Sequence, residues 1–457
     1  MFNIKTHSAL IYFSLLTFAF ILCPLSFILV SCNTTEPPPD NDKPKPTLSL
    51  SLDDTSPTEV WLNLTTTDLE LPNEIILFRD GDTSQIIALT ESEITLYEDS
   101  LLPSQSYTYN VSSEKNQVTS NEVTAVTMDT TSHNFTWEVF EFGEHGNSIL
   151  RDVAIIDESN IWAVGAIYLK DSTGANDSKV YNAVHWNGKV WQPLRIVEEG
   201  FLLAPEYSIY AIAEDDIWIG GSIPQHWNGK TWTFWGGDKG YEGGFYINKI
   251  WAKSSNEVYL VGGNGNIRYY NGTSWRKIEN PVGTGGTDVD LRDVWGQGDI
   301  VWISGYEETG ETVLIKIENV LAEIVFSENV INNPSQFNGT IRSLWTNTET
   351  HLYLLSSTNL YRYSNGINDE ITSLVEFGES RAWFERLRGN DVNDLIIAGY
   401  KSSIQHYNGN TWKEYPELQD EFKITFGLDY KDNIVVVVGE DYRSGFFSKG
   451  FISIGKN

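Results

Sequence analysis

The sequence predicts an all-β protein in two folded parts, a small sandwich followed by a ring of repeated four-stranded sheets, and three observations carry that prediction. Aromatic residues are abundant, with 16 Trp, 22 Tyr and 21 Phe in 457 residues, and such side chains favour strands. Between residues 47 and 128, short β-rich segments alternate with turn residues. From residue 134 onwards one phrase recurs: an apolar strand, a strand rich in Ile, Trp, Val and Gly, a strand ending in aromatic-Asn-Gly, then Trp.

The N-terminus is of another kind. Lys5 precedes an apolar run from Ala9 to Val30, the layout of an export signal, and the run ends in Leu29-Val30-Ser31-Cys32. This ending resembles the lipobox of bacterial lipoproteins, with an aliphatic residue three before the cysteine and a small one just before it. The resemblance implies that residues 1–31 are removed as a signal peptide and that Cys32 carries the lipid. Several acyl chains, at about 0.8 kcal/mol per buried CH₂, would make a stable anchor. The competing reading is an uncleaved transmembrane helix, since roughly 20 apolar residues span a bilayer. Asn33 after the cysteine points to the outer membrane by the sorting rule of enteric bacteria, with either face open. Residues 32–46, with Pro37, Pro38, Pro39, Pro44 and Pro46, read as a stiff polar tether.

Seven strands are expected in residues 47–128: 47–52, 59–65, 74–78, 85–89, 94–97, 106–112 and 122–128. Trp61 in the second strand, and the run Leu102-Pro103 followed by Tyr107-Thr108-Tyr109, resemble the fibronectin type III pattern, in which a Leu-Pro turn precedes a buried Tyr whose hydroxyl caps the chain. Asp80-Gly81 reads as a hairpin turn rather than a metal site.

In residues 134–457 the clearest repeats carry His185-Trp186-Asn187-Gly188, His226-Trp227-Asn228-Gly229, Tyr269-Tyr270-Asn271-Gly272 and His406-Tyr407-Asn408-Gly409, each followed by Trp191, Trp232, Trp275 or Trp412. Asn-Gly suits both central positions of a type I′ turn. A period of about 40 to 45 residues with four strands is that of propeller blades. Innermost strands are expected at 150–153, 209–212, 247–250, 291–294, 341–344, 384–387 and 422–425, which makes a seven-bladed β-propeller. The last unit lacks its outer strand, and Asn134 to Phe140 supplies it, so the ring closes by pairing N- and C-terminal segments. The Gly and Trp of each hairpin resemble the Asp-box of sialidase-like propellers, but aromatic residues stand where the Asp belongs, and no catalytic residue carries over.

Charge excludes some partners. With 62 Asp and Glu against 31 Lys and Arg the net charge is −31, and no basic stripe exists to neutralise phosphates, so nucleic acid is not an expected partner. No cofactor or metal is expected. The three His at one repeat position read as scaffold, and the runs 262–265 and 283–286 read as turns because they lack Gly-Lys-Ser/Thr. A sialidase-type site would need an arginine cluster; Arg292, Arg342, Arg386 and Arg388 lie on innermost strands but at differing offsets.

Two sets of residues are binding candidates. Trp251, Trp295 and Trp345, with Arg388, follow the innermost strands of successive blades and suggest an aromatic arc at the central channel, against packing between blades. Trp235 and Tyr241, in a Gly-rich loop near Phe245 and Tyr246, offer rings on flexible backbone, against burial in a linker. The resulting expectation is an envelope-anchored, non-enzymatic lipoprotein whose propeller binds a protein or glycan. The alternatives are a surface carbohydrate-active enzyme with its pocket on the axis, and a component of an envelope assembly complex.

Overall fold

The computed structural model describes residues 44–279, 286–332, 337–365, 370–377, 383–443 and 445–457. The export segment, Cys32, nearly all of the tether and most of the second glycine run lie outside the described residues. Residues 46–457 form one compact unit. Apart from two single-turn 3-10 segments, Gly237–Lys239 and Pro416–Leu418, every regular element among the described residues is a strand.

The first part folds as two antiparallel sheets. One orders Thr47–Thr55, Val60–Thr67 and Glu93–Glu98; the other orders Asp82–Leu89, Asn73–Arg79, Ser106–Ser113 and Val118–Thr119, with Val123–Val126 also paired to Ser106–Ser113. Alternate residues such as Leu48 and Leu50, or Ile75 and Leu77, point into a common core with Leu62, Leu64 and Val111. Arg79 and Asp82 pair across Asp80 and Gly81, whose φ values of 52° and 87° are those of a type I′ turn. The Tyr107 hydroxyl accepts the Leu102 N–H at 3.0 Å and so caps the Leu-Pro turn. Trp61 lies outside the sandwich core and packs on His351 (ring centroids 4.6 Å apart) and under the Arg362 guanidinium (4.9 Å), both from the ring. Arg362 also pairs with Glu59 at 2.7 Å, so the two parts meet through a buried charge and an aromatic face.

The second part comprises seven four-stranded antiparallel sheets among the described residues. Their innermost strands are Ile149–Asp157, Ser208–Ala213, Ile247–Ser254, Leu291–Gln297, Ile341–Trp345, Phe384–Asp391 and Lys423–Lys431. Each packs on the next and the last packs on the first, which closes the ring. Thr136–Phe142 pairs antiparallel with Lys449–Lys456, with Trp137 opposite Gly455, so the early segment completes the final sheet. One sheet thus joins the first and last strands of the ring, with Thr136–Phe142 as its outer edge.

The Asn-Gly hairpins differ from the turn expected. Trp186 pairs with Trp191 and Trp227 with Trp232, leaving four-residue loops. Gly188, Gly229, Gly272 and Gly409 have φ between 83° and 92°, whereas their Asn neighbours do not enter the left-handed region. Each Asn instead bends the loop with its side chain: Asn187 Oδ1 accepts N–H groups of Lys189 and Val190 at 3.1 and 3.0 Å, and Asn228, Asn271 and Asn408 repeat this. The aromatic residue before Asn meets the Trp across the hairpin, with centroids 5.1 to 5.6 Å apart in Trp186–Trp191, Trp227–Trp232, Tyr270–Trp275 and Tyr407–Trp412. Such pairs contribute about 0.5–1.5 kcal/mol each beyond burial.

The repeated His is a packing device. His185 stacks on Trp162 and bonds Asn160 at 2.9 Å, and His226 stacks on Trp218 and bonds Asp216 at 2.9 Å. His406 bonds Asp394 at 2.7 Å, and its other nitrogen lies 2.7 Å from His133 Nδ1 in the segment entering the ring. Burial, aided by the neighbouring His406, lowers His133 to about 4 from its ordinary 6.5. The unfolded chain therefore takes up this proton first as pH falls, so the stability tied to His133 is present above about 6.5 and is lost between there and about 4. The drop in unfolding temperature from pH 7.5 to pH 5, roughly the window set by this linkage, is expected to be smaller in His133→Asn than in wild type. Equal drops would remove His133 from the account of acid sensitivity.

Candidate functional site

The ring axis is built by two consecutive positions of each innermost strand. Near the start of six of the seven strands a β-bulge interrupts pairing with the second strand, between Leu150 and Asp152, Ile247 and Lys249, Leu291 and Asp293, Ile341 and Ser343, Phe384 and Arg386, and Thr425 and Gly427. A bulge leaves one residue unpaired and re-aims its side chain. The residues so released are Arg151, Asn248, Arg292, Arg342, Glu385 and Phe426, and all six line one cavity at the end where the inner strands begin. Tyr207, just before the second inner strand, takes the corresponding place.

After three of these bulges, and at Ser208 after Tyr207, the next residue turns towards the neighbouring sheet and stitches the ring. Asp152 accepts the Ile209 N–H at 3.0 Å, Ser208 the Ile250 N–H at 2.9 Å, Asp293 the Leu344 N–H at 3.2 Å and Ser343 the Leu387 N–H at 3.1 Å. Other side chains couple the remaining junctions. Asn248 donates to Leu291 O at 2.9 Å, Asn390 exchanges two bonds with Asp432, and Asp429 accepts the Ile155 N–H at 2.7 Å. Gly427 stands where a stitching side chain would go, and a Cβ there would approach the Asp152 Cα to 2.7 Å.

Two ion pairs lie across the axis below this layer. Lys249 Nζ is 2.7 Å from both Asp152 oxygens, and Arg388 grips Asp293 with two bonds of 3.0 and 2.9 Å. Burial pushes the Asp293 carboxyl up, but the Arg388 charge and hydrogen bonds outweigh it and hold the group at about 2. Burial raises the Asp429 carboxyl. Trp295 sits over Arg388 at 4.8 Å and donates its indole N–H to Thr346 O at 2.9 Å. With Lys249, Tyr210 and Asp429 they line a cavity of about 360 Å³ at the far end of the axis.

Of the expected aromatic arc, Trp295 and Arg388 do meet, but Arg388 is fully committed to Asp293. Trp251 and Trp345 are corrected: they are 5% and 2% exposed, wedged between sheets where Gly296 and Gly389 leave room for the rings. The loop candidates are corrected as well. Tyr241 is 2% exposed, and Trp235 packs with it around Tyr270 and Trp275 in the core between the second and third sheets. The loop holds them there because Lys239 ties it down, to Phe234 O at 2.9 Å and to Glu198 at 2.8 Å. The exposed ring is Tyr246, which lines a shallow groove of about 520 Å³ with Ser222, Asn264 and Asp290. Asn248 belongs to both this groove and the arginine-lined mouth.

The mouth, about 250 Å³, is the functional feature that sequence reasoning passed over. Sequence reasoning names Arg292, Arg342, Arg386 and Arg388 on innermost strands at differing offsets but does not single out Arg151, although Leu-Arg-Asp-Val occurs at both 150–153 and 291–294. Arg386 reaches the same cavity from the position after its bulge. Arg342 pairs with Glu385 at 3.3 Å and with Glu308 at 3.7 Å, and Arg292 pairs with Asp290 at 3.1 Å. Arg151 has rings of Tyr207 and Phe426 for neighbours and no carboxylate partner among the described residues; Arg386 bonds only the Glu385 carbonyl. The buried Nε groups of Arg151, Arg292 and Arg342 have no acceptor. Burial raises the Glu385 carboxyl despite Arg342 and Arg386 beside it. Among the described residues no cluster of three or more metal-ligating side chains occurs.

Because Asp293 would be left buried and unpaired, Arg388→Met is expected to cost about 3–5 kcal/mol in denaturant unfolding, with partial recovery when Asp293→Asn is added. A loss below about 1 kcal/mol, the worth of an exposed ion pair, would contradict a structural role for this pair.

No protein-family model matches the sequence. No curated protein matches it either. Solved structures do match in fold. A structure described as YCF48 bound to D1 peptide superposes with a TM-score of 0.52 at 13% identity, over 72% of this chain and 97% of that one. YCF48 from Cyanidioschyzon merolae gives 0.49 at 12% identity over 70% and 98%, and the WD40 β-propeller domain of Doa1 gives 0.46 at 11% over 71% and 97%. Seven four-stranded sheets closed in a ring are those of a β-propeller, and the match at 0.52 is a likeness of fold alone.

Proposed function

We propose that this chain is a non-enzymatic scaffold lipoprotein of the bacterial envelope, anchored through Cys32, that holds a protein partner at the arginine-lined mouth of a seven-bladed propeller. A fibronectin type III-like sandwich joins anchor and propeller. The observation that carries this reading is the mouth itself: a cationic, aromatic-lined cavity in a chain of net charge −31. Such a local reversal of sign steers and orients a partner. The adjoining groove at Tyr246 and Asn264 gives a chain segment room to run on from the mouth. The mouth's Glu308 and Glu385 are engaged with Arg342, which favours binding over carboxylate catalysis. Peptide binding recorded for a propeller of similar fold supports the same use of the ring.

A photo-crosslinking residue placed at Tyr400 on the mouth is expected to yield a discrete protein adduct in living cells, and one at Val190 on an exposed hairpin is not. Adducts of equal yield from both sites, or a glycan adduct from Tyr400, would contradict the reading. Cys32→Ser is expected to move the chain from the membrane to the soluble fraction; retention in the membrane would contradict the anchor alone.

A further inference from the structure

The mouth has an excess of guanidinium groups that its own carboxylates do not use. Arg342 and Arg292 have carboxylates at ion-pair distance, whereas among the described residues Arg151 and Arg386 have none that close, Glu440 and Glu385 acting on them from farther away. Three Nε–H groups, on Arg151, Arg292 and Arg342, are buried without an acceptor. A buried donor without a partner costs about 1–3 kcal/mol, more when charged. The bulges that expose these side chains recur around the ring, so their convergence follows from the architecture. The cavity of about 250 Å³ lies below the roughly 300–1,000 Å³ of sites for drug-sized ligands, a size for one small group.

We propose that the mouth is a carboxylate-binding site, and that its ligand is the free C-terminal carboxylate of a partner polypeptide, inserted end-on among Arg151, Arg342 and Arg386. This inference rests on the scaffold reading and names the group recognised. Guanidinium forks match the two oxygens of a carboxylate. The net charge of −31 argues for a single carboxylate on an otherwise uncharged tail, because the chain as a whole would repel a polyanion. Tyr207 and Phe426 flank Arg151 and offer apolar faces to the terminal side chain.

The test uses the full chain in detergent with two fluorescein-labelled octapeptide pools of random sequence, one with free C-termini and one C-terminally amidated. Enrichment of free-acid peptides at least tenfold over amidated ones is expected, with a loss of at least tenfold in Arg151→Gln. Arg151 has no ion-pair partner, so an unchanged unfolding temperature is expected of that variant; Arg386→Gln provides an independent second site. Equal capture of both pools, or free-acid capture unchanged in both variants, would overturn the proposal. Competition by N-acetylneuraminic acid in the absence of any peptide enrichment would assign the site to an acidic sugar and would equally overturn it. A crosslinked protein partner at Tyr400 whose capture ignores Arg151→Gln and C-terminal amidation would sink the carboxylate inference and leave the scaffold reading standing.

Discussion

The rest of the structure depends on a hydrogen bond that each innermost strand makes to its neighbour. A propeller sheet is paired internally, but nothing in that pairing fixes one sheet against the next, and apolar packing alone is tolerant of slippage. Here a side chain at every junction reaches a backbone group across it. Asp152, Ser208, Asp293 and Ser343 do so from equivalent positions, and Asn248, Asn390 and Asp429 complete the circuit. Each bond is worth about 0.5–1.5 kcal/mol net. Directionality, more than energy, is what they add: a strand that slipped by one residue would leave these acceptors buried and unpaired.

The bulge that allows this stitching also creates the site. With one residue extra, the inner strand can direct one side chain into the neighbouring sheet and the preceding one up into the axis. Buried Lys249 and Arg388 are consumed by Asp152 and Asp293 in holding the ring together. Arg151 and Arg386 sit one layer away with no such duty. Binding capacity is thus the unspent part of a charge pattern whose remainder is structural. The contact of the sandwich through Glu59, Trp61 and Pro57 falls on Arg362, His351 and Gly409, none of which lines the mouth.

Much of the fold was legible because its signals are local or repeated. The Asn134 to Phe140 segment copies the outer-strand phrase, and the pairing of Trp137 with Gly455 follows from it. Asp80-Gly81 makes the two-residue turn its chemistry favours. The identical dipeptide logic failed for Asn187-Gly188, because Trp186 pairs with Trp191, two residues beyond Lys189, and the Asn side chain caps the backbone instead. Trp251 and Trp345 were misplaced for a different reason: position in a repeat says that a ring lies near the axis, but only the facing Gly296 and Gly389 reveal that it is sandwiched between sheets. The packing of Trp61 was not legible because its partners, His351 and Arg362, are remote in the chain. The mouth stayed hidden because bulges shift the register of side chains in a way that alternation alone cannot disclose.

The division between spent and unspent arginines is most directly tested by phenylglyoxal labelling of the folded chain, read residue by residue by mass spectrometry. Arg151 and Arg386 are predicted to react while Arg362 and Arg388 stay inert until the protein unfolds, and partner binding should protect the first pair. Comparable labelling of all four in the folded protein, or reaction of Arg388 ahead of Arg151, would contradict the separation of a structural charge layer from a binding one.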